Sequence, residues 1–248
     1  MNVLILAAGY ATRLYPLTLN KAKPLLDVGG KPMIESVVEN LRGVAGIETI
    51  YIVTNAKFSA DFETWTKSFQ SANSDFRFKV INDGSTSDDN KLGAIGDINL
   101  VLTRENAAGS DLLVIAGDNL FREPLTRFVE YAKKTEAMVG VHEIADAEAI
   151  KKYGVVAVDA EGVITQFEEK PKEPKSSLAA IALYFYSQNV LPLFTTYIAA
   201  GNNPDQPGLF LQWLYPRKPV HTFRITGQWL DIGSKETLEE ANRLFAQP

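Results

Sequence analysis

The chain has 248 residues, 46% of them hydrophobic, which suits one large α/β domain or two small ones. It holds no cysteine, so disulfides, thiolate catalysis and cysteine-based zinc sites are excluded and no oxidising compartment is needed. A net charge of −5 disfavours non-specific binding to nucleic acid or anionic lipid. No apolar run reaches the length of a membrane span, so a cytoplasmic protein is expected.

Residues 2–7 read as a buried first strand; the run is too short, and lacks the basic flank, for a signal core. Pro32 falls near the first turn of a helix, where a missing N–H is harmless. Met33, Ile34, Val37, Val38 and Leu41 then share one face at helical spacing. Residues 47–53 form the next strand, 60–69 a helix with Phe62, Trp65 and Phe69 as core, and 76–81 a third strand. A polar loop over 82–91 precedes a helix beginning near Leu92-Gly93, and 112–116 is the fourth strand. Short β runs alternating with helices argue for a Rossmann-like, doubly wound α/β sheet in three layers. Beyond residue 137 the rhythm changes: strands over 137–142, 155–158, 163–167 and 179–186 are joined by short turns. Helices are expected over 190–199 and 209–214, and Leu238, Ala241 and Phe245 line a final one. With no glycine- or serine-rich linker and no repeat, one domain is expected, with a nucleotide-type half over 1–136 and a mixed half over 137–248.

Three features carry chemistry. Asp118 follows the fourth strand directly, in Gly117-Asp118-Asn119. The carboxyl end of a strand in an open α/β sheet is where ligands bind, and a carboxylate there is placed to hold a metal ion, although such a tripeptide also makes a plain turn. Asp231 is a second candidate far downstream. The third feature is an acid-free basic opening: Arg13, Lys21 and Lys23 all precede the first acidic residue, Asp27. They await either an anion or a buried partner carboxylate. Around them, Gly9 lets the backbone approach a ligand, Arg13 offers a planar fork to phosphate and Lys23 a compact charge. The loop is neither a dinucleotide fingerprint, since the three-glycine pattern is missing, nor a Walker loop, since Gly30-Lys31 is followed by Pro32.

These residues resemble the sugar-1-phosphate nucleotidylyltransferases, of the glucose-1-phosphate thymidylyltransferase and uridylyltransferase type. Thr12-Arg13-Leu14-Tyr15-Pro16-Leu17-Thr18, Lys23-Pro24-Leu25 and Gly30-Lys31-Pro32-Met33 look like the family's opening signature. Gly117-Asp118-Asn119, Glu168-Glu169-Lys170-Pro171 with Pro174-Lys175-Ser176, and Trp229-Leu230-Asp231-Ile232-Gly233-Ser234 follow in the family's order. Tyr153-Gly154-Val155-Val156 resembles the sugar-side segment. The likeness spans nearly the whole chain.

The resemblance implies a mixed sheet of the nucleotide-diphospho-sugar transferase type and a magnesium-dependent transfer. A sugar 1-phosphate oxygen attacks the α-phosphorus of a nucleoside triphosphate, and pyrophosphate leaves. By match to the motifs, Arg13 grips the pyrophosphate and Lys23 the triphosphate, with Ala8, Gly9 and Gly93 also against the nucleotide. Asp118 and Asp231 hold Mg²⁺, Lys170 the sugar phosphate and Glu169 the sugar hydroxyls, beside Tyr153 and Gly154. Asn82, with a donor and an acceptor for a base edge, is named as the base reader. The attacking phosphate has a second pKa of about 6, so it needs no general base at neutral pH. Lys172 and Lys175 read as a solvated charged loop, and Trp229 is expected to pack. A homodimer is implied by the likeness alone.

The chain also departs from the family. Ala11 stands where the opening loop usually has glycine; a positive φ there would cost about 1–2 kcal/mol. Ala182 replaces a glycine and Ile181 a threonine near the sugar, which suggests an acceptor other than plain glucose 1-phosphate or one seated higher. The polar loop over 82–91 is longer than in relatives. Two other readings stand beside the sugar one: a cytidylyltransferase acting on a phosphorylated alcohol such as phosphocholine, and a non-catalytic regulatory module on the same fold. Glu169, Lys170 and Tyr153-Gly154 favour the sugar. The chain ends soon after the last predicted helix, so an appended β-helix with acetyltransferase activity is not expected.

Overall fold

The computed structural model describes residues 1–245. Backbone contacts group the chain into two compact units: the first takes residues 1–92, 115–126 and the stretch from Gly227 onward, the second residues 93–114 and 127–226.

The first unit opens with β1 (Asn2–Leu6), almost fully buried. A long loop with two 3-10 turns, Thr12–Leu14 and Lys23–Leu25, leads to a small ribbon of β2 (Asp27–Val28) and β3 (Lys31–Pro32). Pro32 is the N-cap of α1 (Met33–Glu39), which buries Met33, Ile34, Val37 and Val38. β4 (Ile50–Thr54), α2 (Ser59–Ala72) and β5 (Phe78–Asn82) follow. β1 pairs with β4, and β4 with β5, both in parallel, each pair joined by a crossover that carries a helix. The face of α2 toward this sheet is aromatic: the Trp65 and Phe69 rings stack 5.1 Å apart, and Phe78 meets Trp65 edge-on at 5.7 Å.

The second unit begins with Gly93 and α3 (Ala94–Arg104). β6 (Leu112–Ala116) starts here and finishes in the first unit, to which β7 (Asn119–Phe121) also belongs. After α4 (Thr126–Ala132) come β8 (Ala137–Glu143), β9 (Gly154–Val158), β10 (Ile164–Glu169) and β11 (Leu178–Tyr186). These four are antiparallel: β10 on β9, β9 on β11, and β11 on β8. α5 (Pro192–Ala199) and α6 (Pro207–Leu214) each begin on a proline, where φ is already helical. β12 (Val220–Arg224) then pairs parallel to β8. The chain returns to the first unit with β13 (Trp229–Asp231), antiparallel to β7, and α7 (Lys235–Phe245), which buries Leu238 and Ala241.

The mixed α/β class expected from the sequence is the one found. The ribbons β2–β3 and β7–β13 were not expected, because strands of two or three residues leave no readable period, and neither was the short α4. Among the described residues no helix is long and apolar enough to cross a membrane.

Gly93 holds the start of α3 together. Its φ of 79° and ψ of 161° lie in a region open essentially to glycine alone. An added Cβ would stand 2.6 Å from Asp205 Cα and 2.6 Å from the Pro204 carbonyl oxygen. That close approach lets the Ala94 and Ile95 N–H groups donate to Asp205 O (3.0 Å) and Pro204 O (2.9 Å), satisfying donors that a helix start leaves over. Gly93→Ala is therefore expected to destabilise the protein by about 3 kcal/mol, read as a lower urea midpoint; an unchanged midpoint would contradict this account.

Candidate active site

In the first unit two elements deliver the carboxylates. β6 ends at Ala116 and Gly117 N–H donates to Leu6 O at 2.9 Å, so Asp118 emerges beside the end of β1. The β7–β13 ribbon sets Asp231 opposite Asn119 in register, and Ile232 N–H donates to the Asp118 carbonyl at 3.1 Å. Asp231 is thereby brought next to Asp118. The Asn119 Nδ2 group donates to both, at 3.1 Å to Asp118 Oδ1 and 3.5 Å to Asp231 Oδ1. Its own oxygen accepts from the Trp229 indole N–H at 2.8 Å. Trp229, expected to pack, also places its indole N–H, which needs an acceptor, on Asn119.

Lys23 closes the cluster. Its ammonium forms an ion pair with Asp118 and donates to the Ile232 carbonyl at 3.0 Å. Of the two partners the sequence left open, this structure pairs the cation with a carboxylate. Arg13 has its guanidinium nitrogens 3.9 Å from where a Cβ on Gly233 would sit. A cleft of about 320 Å³ opens here, lined by Gly9, Arg13, Lys23 and Asp118 among others. Asp88 and Lys91, from the polar loop after β5, also line it; no motif marked them, and only the loop's charge hinted at a role. Asn82 Oδ1 accepts from Gly84 N–H at 2.8 Å, an Asx turn that starts this loop.

The opening loop is strained at one point. Ala11 has φ 48° and ψ 44°, the left-handed conformation that glycine takes more easily. Its carbonyl accepts from the buried Thr18 hydroxyl at 2.8 Å and from Leu14 N–H at 3.0 Å, which fixes the peptide in place.

The second unit gathers the other expected residues. Glu169 ends β10, and its N–H donates to Gln212 Oε1 on α6 at 3.1 Å. Its carboxylate lies over Gly208, where an added Cβ would come 1.8 Å from Glu169 Oε2; at Gly154 an added Cβ would meet the Phe167 ring at 2.5 Å and Glu169 Oε2 at 3.0 Å. Gly208 therefore tolerates no side chain while Glu169 stays put, and Gly154 none while Phe167 does. Lys170 adopts a positive φ of 50° and donates its N–H to the Tyr153 carbonyl at 3.1 Å. Tyr153, Gly154, Glu169 and Lys170 are thus neighbours, as Arg13, Lys23, Asp118 and Asp231 are in the first unit. Gly208 and Gln212 escaped the sequence reading because their part is to make room for, and to anchor, another residue. β11 shifts register between Ala180 and Tyr184, at Ile181 and Ala182.

Burial pushes the Asp118 carboxyl up, but the Lys23 ammonium and hydrogen bonds from Lys23 and Asn119 outweigh it, holding the group below the ordinary carboxylate value. Burial raises Glu169, only partly offset by Lys170. Among the described residues no group of three or more His, Cys, Asp or Glu side chains is placed to hold a metal. Two aspartates sharing one donor suit a hard cation that takes the rest of its ligands from water and phosphate, as Mg²⁺ does.

A sequence model of the nucleotidyl transferase family matches residues 2–247. The chain is 30% identical to glucose-1-phosphate thymidylyltransferase of Neisseria gonorrhoeae, covering 97% of this chain and 81% of that one. It is 26% identical to the bifunctional protein GlmU of Methanocaldococcus jannaschii over 98% of its own length, and spans 54% of that relative. Among solved structures, a Bacillus anthracis chain described as a glucose-1-phosphate thymidylyltransferase, in complex with a sucrose, superposes with a TM-score of 0.85 at 29% identity. That match covers 100% of this chain and 96% of the other.

The depressed Asp118 carboxyl has a consequence for stability. Such a group stabilises the fold above its unfolded pKa of about 4 and loses that contribution as pH falls through the folded value. In Lys23→Met burial is left uncompensated, so the Asp118 pKa should rise and the variant should be about 2 kcal/mol less stable at pH 7. That difference should shrink as the pH falls through the raised value in the variant and then through the depressed folded value in the wild type, where Asp118 becomes protonated. Urea titrations at pH 7 and in acid check it; a pH-independent difference would contradict the pairing.

Proposed function

The chain belongs to the nucleotidyl transferase family, and on that premise we propose that it transfers a nucleotidyl group from a nucleoside triphosphate to a sugar 1-phosphate. Pyrophosphate is the other product. The observation that carries the reading is the convergence of Asp118 and Asp231 on one Asn119 donor, beside Lys23 and the cleft lined by Arg13. Relatives with these activities support the substrate classes.

Mg²⁺ is the cofactor in this reading, held by Asp118 and Asp231; when bound it supplies positive charge to phosphate oxygens and fixes their geometry. The chain's own residues do the remainder. Arg13 takes the leaving pyrophosphate in a two-pronged grip. Lys23 neutralises charge near the α-phosphorus, exchanging part of its contact with Asp118 for phosphate oxygen. Backbone at Ala8 and Gly9 lies along the phosphates, and Gly93 and Asn82 serve the nucleotide, Asn82 at the base edge. Glu169 orients the sugar hydroxyls, Lys170 holds the sugar phosphate, and Tyr153-Gly154 line that side. No side chain has to remove a proton from the attacking phosphate, which is already an anion. Rate then rests on in-line positioning and electrostatic stabilisation. A cytoplasmic location and a homodimer complete the proposal.

The test is pyrophosphate release with Mg²⁺, a panel of nucleoside triphosphates and a panel of sugar 1-phosphates. Turnover is expected with at least one pair, and Asp118→Asn should lower it by about a hundredfold or more while melting as a folded protein. Turnover with phosphocholine and no sugar 1-phosphate would move the acceptor class, and wild-type rates in Asp118→Asn would remove that residue from the metal site.

A further inference from the structure

Two like charges side by side need something to hold them apart from rotation and to blunt their repulsion. Lys23 reaches Asp118, yet a lysine is also the group that must turn to phosphate when substrate arrives. Asn119 has no such competing duty. It is 3% exposed, sits on β7 opposite Asp231, and is one residue from Asp118. Its Nδ2 reaches both carboxylates at 3.1 Å and 3.5 Å.

The orientation of the carboxamide is set by chemistry. An indole N–H can only donate, so Trp229, 2.8 Å away, can face only the Asn119 oxygen. The NH₂ edge is then turned toward the two aspartates. A neutral donor suits this place: it orders the inward oxygens without adding a cation that would compete with a metal.

We infer that Asn119, locked by the Trp229 indole N–H, is the positioning residue that preorganises Asp118 and Asp231 to bind a divalent cation. The inference rests on the reading of the aspartate pair as the metal site. It makes Trp229 a positioning residue through hydrogen bonding, distinct from any packing role of its ring.

Groups that orient metal ligands typically contribute about 10–100-fold in metal affinity. The experiment is titration of the purified protein with Mn²⁺ alone, followed by electron paramagnetic resonance of free Mn²⁺. Metal-free melting curves and the Mg²⁺ dependence of pyrophosphate release run in parallel. Asn119→Leu, of nearly the same shape, should weaken Mn²⁺ by about tenfold or more. Trp229→Phe, which keeps an aromatic ring and loses the N–H, should weaken it about fivefold, the worth of one hydrogen bond. In both variants turnover should recover at high Mg²⁺, since mass action replaces lost preorganisation, and a purely structural defect would not be rescued in this way. If Asn119→Leu fails to fold, Asn119→Ser, smaller and polar, is measured instead with the same expectation.

Wild-type Mn²⁺ affinity in Trp229→Phe and in the folded Asn119 variant overturns the inference. If Asp118→Asn lowers Mn²⁺ affinity in that same series, the metal reading survives and the Asn119 assignment alone is lost. If Mn²⁺ binding ignores Asp118→Asn and no pyrophosphate is formed, the proposed function falls and the inference with it.

Discussion

Holding two carboxylates next to each other is electrostatically unfavourable, and much of the first unit is arranged around that demand. Asn119 and Asp231 are 112 residues apart in sequence, so nothing local brings them together. The ribbon of β7 and β13 does so by backbone register, and side chains then manage the charge: one ammonium from Lys23, one carboxamide from Asn119. Repulsion between like charges at short range amounts to several kcal/mol at the effective dielectric of a partly buried site. In the proposed reading, a divalent cation bound by the pair offsets this cost further than the Lys23 ammonium alone.

The two units keep strained backbone where the candidate residues lie. Ala11 at φ 48° sits between Gly9 and Arg13, and Lys170 at φ 50° follows Glu169 directly. Each such residue costs on the order of 1–3 kcal/mol. In both cases hydrogen bonds hold the peptide: Thr18 to the Ala11 carbonyl, and Lys170 N–H to Tyr153. Glu169 is placed differently: its N–H is held by Gln212, and Gly208 leaves room for its carboxylate.

Much of this was legible from residue order. The buried run Leu112–Ala116 announced a strand, with a carboxylate just beyond its end. Phe62, Trp65 and Phe69 declared the buried face of α2 by spacing alone. The departure at Ala11 correctly raised the question of a positive φ. What the residues did not disclose was pairing. A three-residue ribbon such as Trp229–Asp231 has no period to read, so the contact between Trp229 and Asn119 could not be inferred. Gly208 and Gln212 were silent for a related reason: a glycine that makes space and a glutamine that accepts one N–H carry no motif. Lys23 was correctly marked as a cation, but whether it would meet an anion or a carboxylate depended on a fold that residue types do not specify.

The central claim is that Asp118 and Asp231 bind one divalent ion together. Its most direct test is a crystal grown with Mn²⁺ and a nucleoside triphosphate, read by anomalous scattering. The account predicts one manganese peak at about 2–2.3 Å from an oxygen of each aspartate, with the remaining positions taken by water or phosphate. A peak held by neither, or by one while the other turns away, would contradict it.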